Sequence, residues 1–128
     1  METHISLTEA EWEVMECLWE KNPRTGREIT LFLDEKMGWS RSTTLTLLRR
    51  LEGKGAVASD KSAEPTAFRP CVLREEVVVR ETESLLERAY KGSLSLLVSS
   101  LTKKQTLPQK EIEELYAILR EMEGKDHD

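Results

Sequence analysis

The chain has 128 residues, with 19 basic and 24 acidic side chains and a formal net charge of −5. That length suits one domain of ordinary size, or a small domain with an appendage. The acidic balance excludes a protein that coats nucleic acid indiscriminately, although it leaves room for a local basic surface.

A complete start signal opens the first helix. Thr8 and Glu11 make a Thr-x-x-Glu capping box, and Leu7 with Trp12 are spaced as a hydrophobic staple. Trp12, Met15, Leu18 and Trp19 then recur at helical spacing beside Val14 and Cys17, a pattern that fits a core rather than a stacking platform. Asn22-Pro23 ends this helix. Thr25 and Glu28 repeat the cap and open a second helix through about Lys36, with Ile29, Phe32 and Leu33 as its buried stripe. Gly38 closes it, and Trp39 follows in the turn.

Ser40 is a good N-cap for a third helix, which Gly55 stops. Thr44, Leu47, Leu48 and Leu51 share the face expected to be buried. Ser42, Thr43, Thr46, Arg49 and Arg50 fall mostly outside that stripe. Helix, loop, helix, short turn and helix make a helix-turn-helix with a preceding support helix. Ala56-Val57-Ala58 and Ala67 to Leu73 read as two strands around a polar tip, with Pro70 at an edge or bulge. The fold class is therefore mainly α with a small β-hairpin wing, a winged helix-turn-helix.

From about Arg74 to Leu101 the pattern reads as one long helix, with Gly92 as a soft point. A final helix after Pro108 carries Ile112, Leu115, Tyr116, Leu119 and Met122 at i, i+3, i+4, i+7 spacing. The tail from Gly124 is expected to fray. Two amphipathic helices cannot bury both stripes alone; a two-fold partner is the economical cover, with packing back onto the N-terminal domain as the alternative. Leu85, Leu86, Ala89, Leu97, Leu101, Ile112, Leu115, Tyr116 and Leu119 are the candidate dimerisation residues. The expected division is a DNA-binding domain over residues 1–73 and a helical dimerisation domain over residues 74–128.

Charge is uneven along the chain. Between Lys36 and Lys61 there are six basic residues and two acidic ones, a local charge of +4 within a chain of −5. A basic segment in an acidic protein suits site-selective DNA binding, and a dimer presents it twice. Ser42, Thr43, Thr46 and Arg49 are the candidate groove contacts. Ser40, Arg41, Leu45, Arg50 and Lys54 complete the candidate DNA-binding set on this helix, with Lys61 near the wing tip and Arg69 on the returning strand. Arg69 serves equally well as an edge-strand solubility residue.

Cys17 and Cys71 form no CxxC or CxC pattern, and His4 and His127 near the two ends have no ligand-like neighbours, so no metal or other cofactor is expected. No apolar run approaches a membrane span and no leader pattern begins the chain, which reads as cytoplasmic. A nucleophile with a plausible base and a phosphate-binding glycine loop are both absent, so no enzyme is expected.

Several segments together carry a resemblance. They are Leu7-Thr8-Glu9-Ala10-Glu11-Trp12-Glu13-Val14-Met15, then Trp39-Ser40 with Thr43, Thr46-Leu47-Leu48, Arg50-Leu51 and Lys54-Gly55. Ala89-Tyr90-Lys91-Gly92 and Glu111-Ile112-Glu113-Glu114-Leu115 follow in the C-terminal part. In this order they resemble the penicillinase-repressor (BlaI/MecI) family of bacterial transcriptional repressors. The resemblance implies a homodimer whose winged helices bind a palindromic, double-stranded operator and whose C-terminal helices hold the dimer. It also implies control of β-lactam resistance genes and a membrane-bound sensor protease pathway that leads to repressor cleavage.

The chain departs from the family pattern at three places. Leu45 stands where a basic or aromatic residue is frequent, so the operator sequence does not transfer. Ser100-Leu101 stands where the usual Asn-Phe cleavage bond falls, and neither residue is retained. Pro108 replaces a capping serine and is well tolerated at a helix start. No cysteine follows Cys71, unlike the copper-responsive branch. A ligand-sensing winged-helix regulator and a winged-helix protein-interaction module remain the alternative readings.

Overall fold

Thr8 and Glu11 close the capping box that their spacing predicts. The Thr8 hydroxyl accepts the Glu11 N–H at 3.1 Å and the Glu11 carboxylate accepts the Thr8 N–H at 2.8 Å. Helix α1 (Glu9–Glu20) follows, in a computed structural model that describes residues 5–126 and thus leaves His4 and His127 outside the described residues. The chain divides into two compact units, Met1–Thr82 and Glu83–Asp128.

In the first unit, α1 is followed by β1 (Arg24–Thr25), α2 (Gly26–Met37), α3 (Arg41–Lys54), β2 (Val57–Asp60) and β3 (Ala67–Pro70). Thr25 caps α2 with a second capping box, and Ser40 caps α3 by accepting the Thr43 N–H. Gly55 ends α3 at φ 81°, a left-handed conformation that an L side chain would strain, and its N–H returns to the α3 carbonyls.

The core is the sum of the buried stripes. Val14, Met15, Cys17 and Leu18 from α1, Ile29 and Leu33 from α2, and Leu47, Leu48 and Leu51 from α3 meet Ile5, Leu7, Ala56, Val57 and Val77. Trp12 and Trp19 lie half-buried against it in an edge-to-face pair, ring centroids 5.6 Å apart. The Trp19 indole N–H donates to the Val72 carbonyl at 2.9 Å, tying α1 to the segment behind the wing. Burial pushes the Cys17 thiol up to about 11, the behaviour of an inert core residue.

The structure departs from the sequence expectations at four points. The wing is a three-stranded antiparallel sheet of order β1-β3-β2, because Arg24 and Thr25 pair with Phe68 and Ala67. The hairpin strands are Val57–Asp60 and Ala67–Pro70, with Val57 opposite Pro70 and Asp60 opposite Ala67. The expected long helix is two, α4 (Arg74–Tyr90) and α5 (Leu94–Lys104). Lys91 and Gly92 take φ of 50° and 83° there, and Ser93 caps α5 through the Leu96 N–H, so the Gly92 soft point is a complete break. Finally, α6 (Gln109–Asp126) continues through Gly124 rather than fraying there.

Candidate nucleic-acid interface

The buried stripe of α3 fixes which side chains face outward. Thr44, Leu47, Leu48 and Leu51 are buried, which leaves Arg41, Ser42, Thr43, Thr46, Arg49 and Arg50 exposed. The hydroxyls at the helix start are organised among themselves. Ser40 Oγ lies 3.1 Å from Ser42 Oγ and 3.0 Å from Thr43 Oγ1. A shallow depression of about 250 Å³ on this surface is lined by Ser42, Thr43, Thr46, Leu47 and Arg50. Small hydroxyls with a guanidinium a turn later suit a helix that enters a groove by its N-terminal half.

Ion pairing sorts the basic residues into two groups. Lys36 lies 2.9 Å from Glu13, Arg74 lies 2.7 Å from Glu16, and Arg24 stacks over the Phe32 ring at 4.8 Å. Lys54 lies 2.6 Å from Glu11. Among the described residues, Arg41, Arg49 and Arg50 form no ion pair, and all three are exposed on α3. The local charge read from the sequence thus overstates the contribution of Lys36 and isolates the three arginines. Glu52 on the same helix accepts a hydrogen bond from Ser59 Oγ at 3.0 Å, linking α3 to β2.

The remaining candidates fall at different depths. Lys61 is exposed at the wing tip, where Asp60 accepts the Ser62 N–H at 3.0 Å, and Arg69 is exposed on β3 opposite Ala58. Leu45 is half-buried and packs against the core. Its Cδ2 lies 4.0 Å, and Phe68 Cε1 3.6 Å, from where a Cβ on Gly26 would stand, so Leu45 is directed toward the α2 start and the wing. The resemblance places it among the outward DNA-binding candidates, and the structure turns it inward.

Glu11, whose spacing from Thr8 marks it as a cap, has a second partner. It is 1% exposed and receives both the Thr8 N–H and the Lys54 ammonium. Burial pushes its carboxyl up, but the hydrogen bonds from Lys54 and Thr8 outweigh that and hold it below the ordinary 4.5. A depressed folded value means that the stabilisation is in place above the ordinary value and is lost as pH falls through the folded one. Thermal melts should therefore show wild type more stable than Glu11→Gln at neutral pH, with the gap closing as the pH falls below the ordinary carboxylate range. A gap independent of pH would exclude an ionised Glu11.

In the second unit, no described residue is buried. Leu85, Leu101, Tyr116 and Leu119 are among the exposed large hydrophobics, Ala89 is exposed, and Leu86, Leu97, Ile112 and Leu115 are half-buried. An open apolar cleft of about 450 Å³ runs along Val98, Leu107, Ile112, Leu115, Tyr116 and Leu119. Ser100 and Leu101 lie exposed within α5. Among the described residues no group of acidic, His or Cys side chains is arranged to hold a metal, and no helix is long and apolar enough to cross a membrane.

A winged helix whose third helix carries outward hydroxyls and unpaired guanidinium groups defines a DNA-binding transcription regulator rather than an enzyme. The chain belongs to the penicillinase repressor family, which it matches over residues 7–121. It is 31% identical over 113 residues to the methicillin resistance regulatory protein MecI of Mammaliicoccus sciuri, covering 88% of this chain and 92% of that protein. It is 30% identical over 119 residues to the penicillinase repressor of Bacillus licheniformis, covering 93% of each. The Bacillus licheniformis BlaI monomer solved in complex with the blaP half-operator aligns with a TM-score of 0.53 and 28% identity. That alignment covers 59% of this chain and 93% of that one.

Proposed function

We propose that this protein represses transcription in the cytoplasm as a homodimer on a palindromic operator, with resistance genes against β-lactams as its targets. In this reading residues 1–73 read DNA and residues 74–128 hold the dimer. The observation that carries the DNA reading is the outward face of α3, where Arg49 and Arg50 are exposed and unpaired beside Ser42, Thr43 and Thr46. Ser42, Thr43, Thr46 and Arg49 contact base edges. Arg41, Arg50, Lys61 and Arg69 serve the phosphates, and the start of α3 at Ser40 offers its N–H groups to one of them. Leu45 sits behind this face and supports it.

The observation that supports the dimer is the second unit, whose helices leave every large apolar side chain at least partly open in one chain. A second copy covers Tyr116, Leu119 and the cleft beside them. The upstream partner in this reading is a membrane sensor protease. Its cutting bond is not assigned to Ser100-Leu101, which lack the side chains of the family's usual bond.

Arg49→Ala should weaken binding to a duplex selected from genomic fragments by about 1–3 kcal/mol, roughly 5- to 150-fold, with a smaller loss on random duplex. Gel-shift titration at fixed salt reads both. Unchanged affinity in Arg49→Ala and in Thr46→Ala would remove α3 from the interface.

A further inference from the structure

Lys54 is the last residue of α3, exposed along its side chain, and its ammonium is engaged within the protein. It donates to Glu11 Oε1 at 2.6 Å and to the Ser6 carbonyl at 2.7 Å. The same carboxylate oxygen accepts the Thr8 N–H that starts α1. Ile5 and Leu7 on either side of Ser6 are buried in the core, so the segment that Lys54 grips is itself fixed. Glu11 is 1% exposed and makes no contact with the outside.

We propose that Lys54 is a positioning residue, and not a phosphate contact, which clamps the C-terminal end of α3 to the start of α1 and so sets the orientation of the reading face. This rests on the DNA reading above. At 1.5 Å per residue, Arg50 lies about 6 Å and Thr46 about 12 Å along the helix from the clamp. A slip of one residue would swing Lys54 by about 100° and break both of its hydrogen bonds. Base contacts tolerate only a few tenths of an ångström in donor–acceptor distance, so the clamp acts on selectivity. With its ammonium held by Glu11 and the Ser6 carbonyl, Lys54 should add little to the counterions released on binding, even though its side chain is 36% exposed.

Two variants of the full chain test this, the double variant Glu11→Gln with Lys54→Met and the single Glu11→Gln. The single retains an acceptor for Thr8 and folds with its capping box intact. The probes are the duplex most enriched by wild type from random sequence and a random-sequence duplex of equal length. They are titrated at several salt concentrations below the melting range of each variant.

The selectivity ratio should fall about tenfold in the double variant, the scale of one displaced base contact, and by less in Glu11→Gln. The slope of log affinity against log salt should stay at the wild-type value, whereas Arg50→Ala should reduce it by about one. A slope reduced by about one in the double variant would make Lys54 a phosphate ligand and overturn the proposal. Wild-type selectivity in a folded double variant, or in Glu11→Gln where the double variant does not fold, would reduce the pair to a stabilising contact and overturn it too. Failure of the wild type to select any sequence is a separate result, which removes the DNA reading itself.

Discussion

Leu119→Glu should weaken binding to a duplex with two half-sites by about 10²- to 10⁴-fold while leaving affinity for a single half-site unchanged. Leu119 is 48% exposed in the single chain, on an α6 face shared with Tyr116 and Met122. A carboxylate there stays hydrated in the monomer and costs little. Within the proposed two-fold interface the same carboxylate would meet apolar surface, and an unpaired buried charge costs several kcal/mol. Sedimentation should show the variant as a monomer at concentrations where wild type is dimeric, with helical circular dichroism retained. The loss on DNA would be one of linkage, because in the proposed dimer two tethered reading heads would bind the second half-site at a high effective concentration. Equal losses on one and two half-sites would instead place Leu119 in the fold of the single chain.

The winged helix was legible because its signals are local. Thr8 with Glu11 and Thr25 with Glu28 mark helix starts by chemistry that acts over three residues, and Gly38 and Gly55 mark the stops in the same way. The buried stripe of α3 followed from period alone. What period could not supply was the partner of each exposed charge. Lys36 counts toward the basic segment, Lys54 toward the DNA-binding set and Arg74 only as a helix start, yet their carboxylates lie 23, 43 and 58 residues away on α1. Strand β1 was hidden for a similar reason. Arg24 and Thr25 have no strand pattern of their own and acquire one only because β3 presents its free edge to them. The resemblance sets Leu45 among the DNA-binding candidates, and only the wing and the α2 start, both remote in sequence, draw it inward.

Two substitutions on the buried stripe of α3 should move stability in opposite directions. Leu51 is fully buried, and Leu51→Ala removes apolar atoms from a core assembled from three helices, leaving a cavity. The expected loss is about 2–5 kcal/mol, a large part of the total stability of a domain this size. Thr44 is buried to the same extent, but its hydroxyl finds no hydrogen-bond partner among the described residues. Thr44→Val keeps the branched shape and removes the unsatisfied oxygen, and should gain about 1–2 kcal/mol. Trp12, Trp19 and Trp39 all pack against this core, so their fluorescence follows urea unfolding of the first unit. The midpoints should shift in opposite directions at constant slope. A loss in Thr44→Val would show that the hydroxyl is bonded in solution. A loss below about 1 kcal/mol in Leu51→Ala would mean that the site collapses around the smaller side chain. On this expectation one position of the stripe serves packing and the other gives up stability, and neither side chain lies on the outward face of α3.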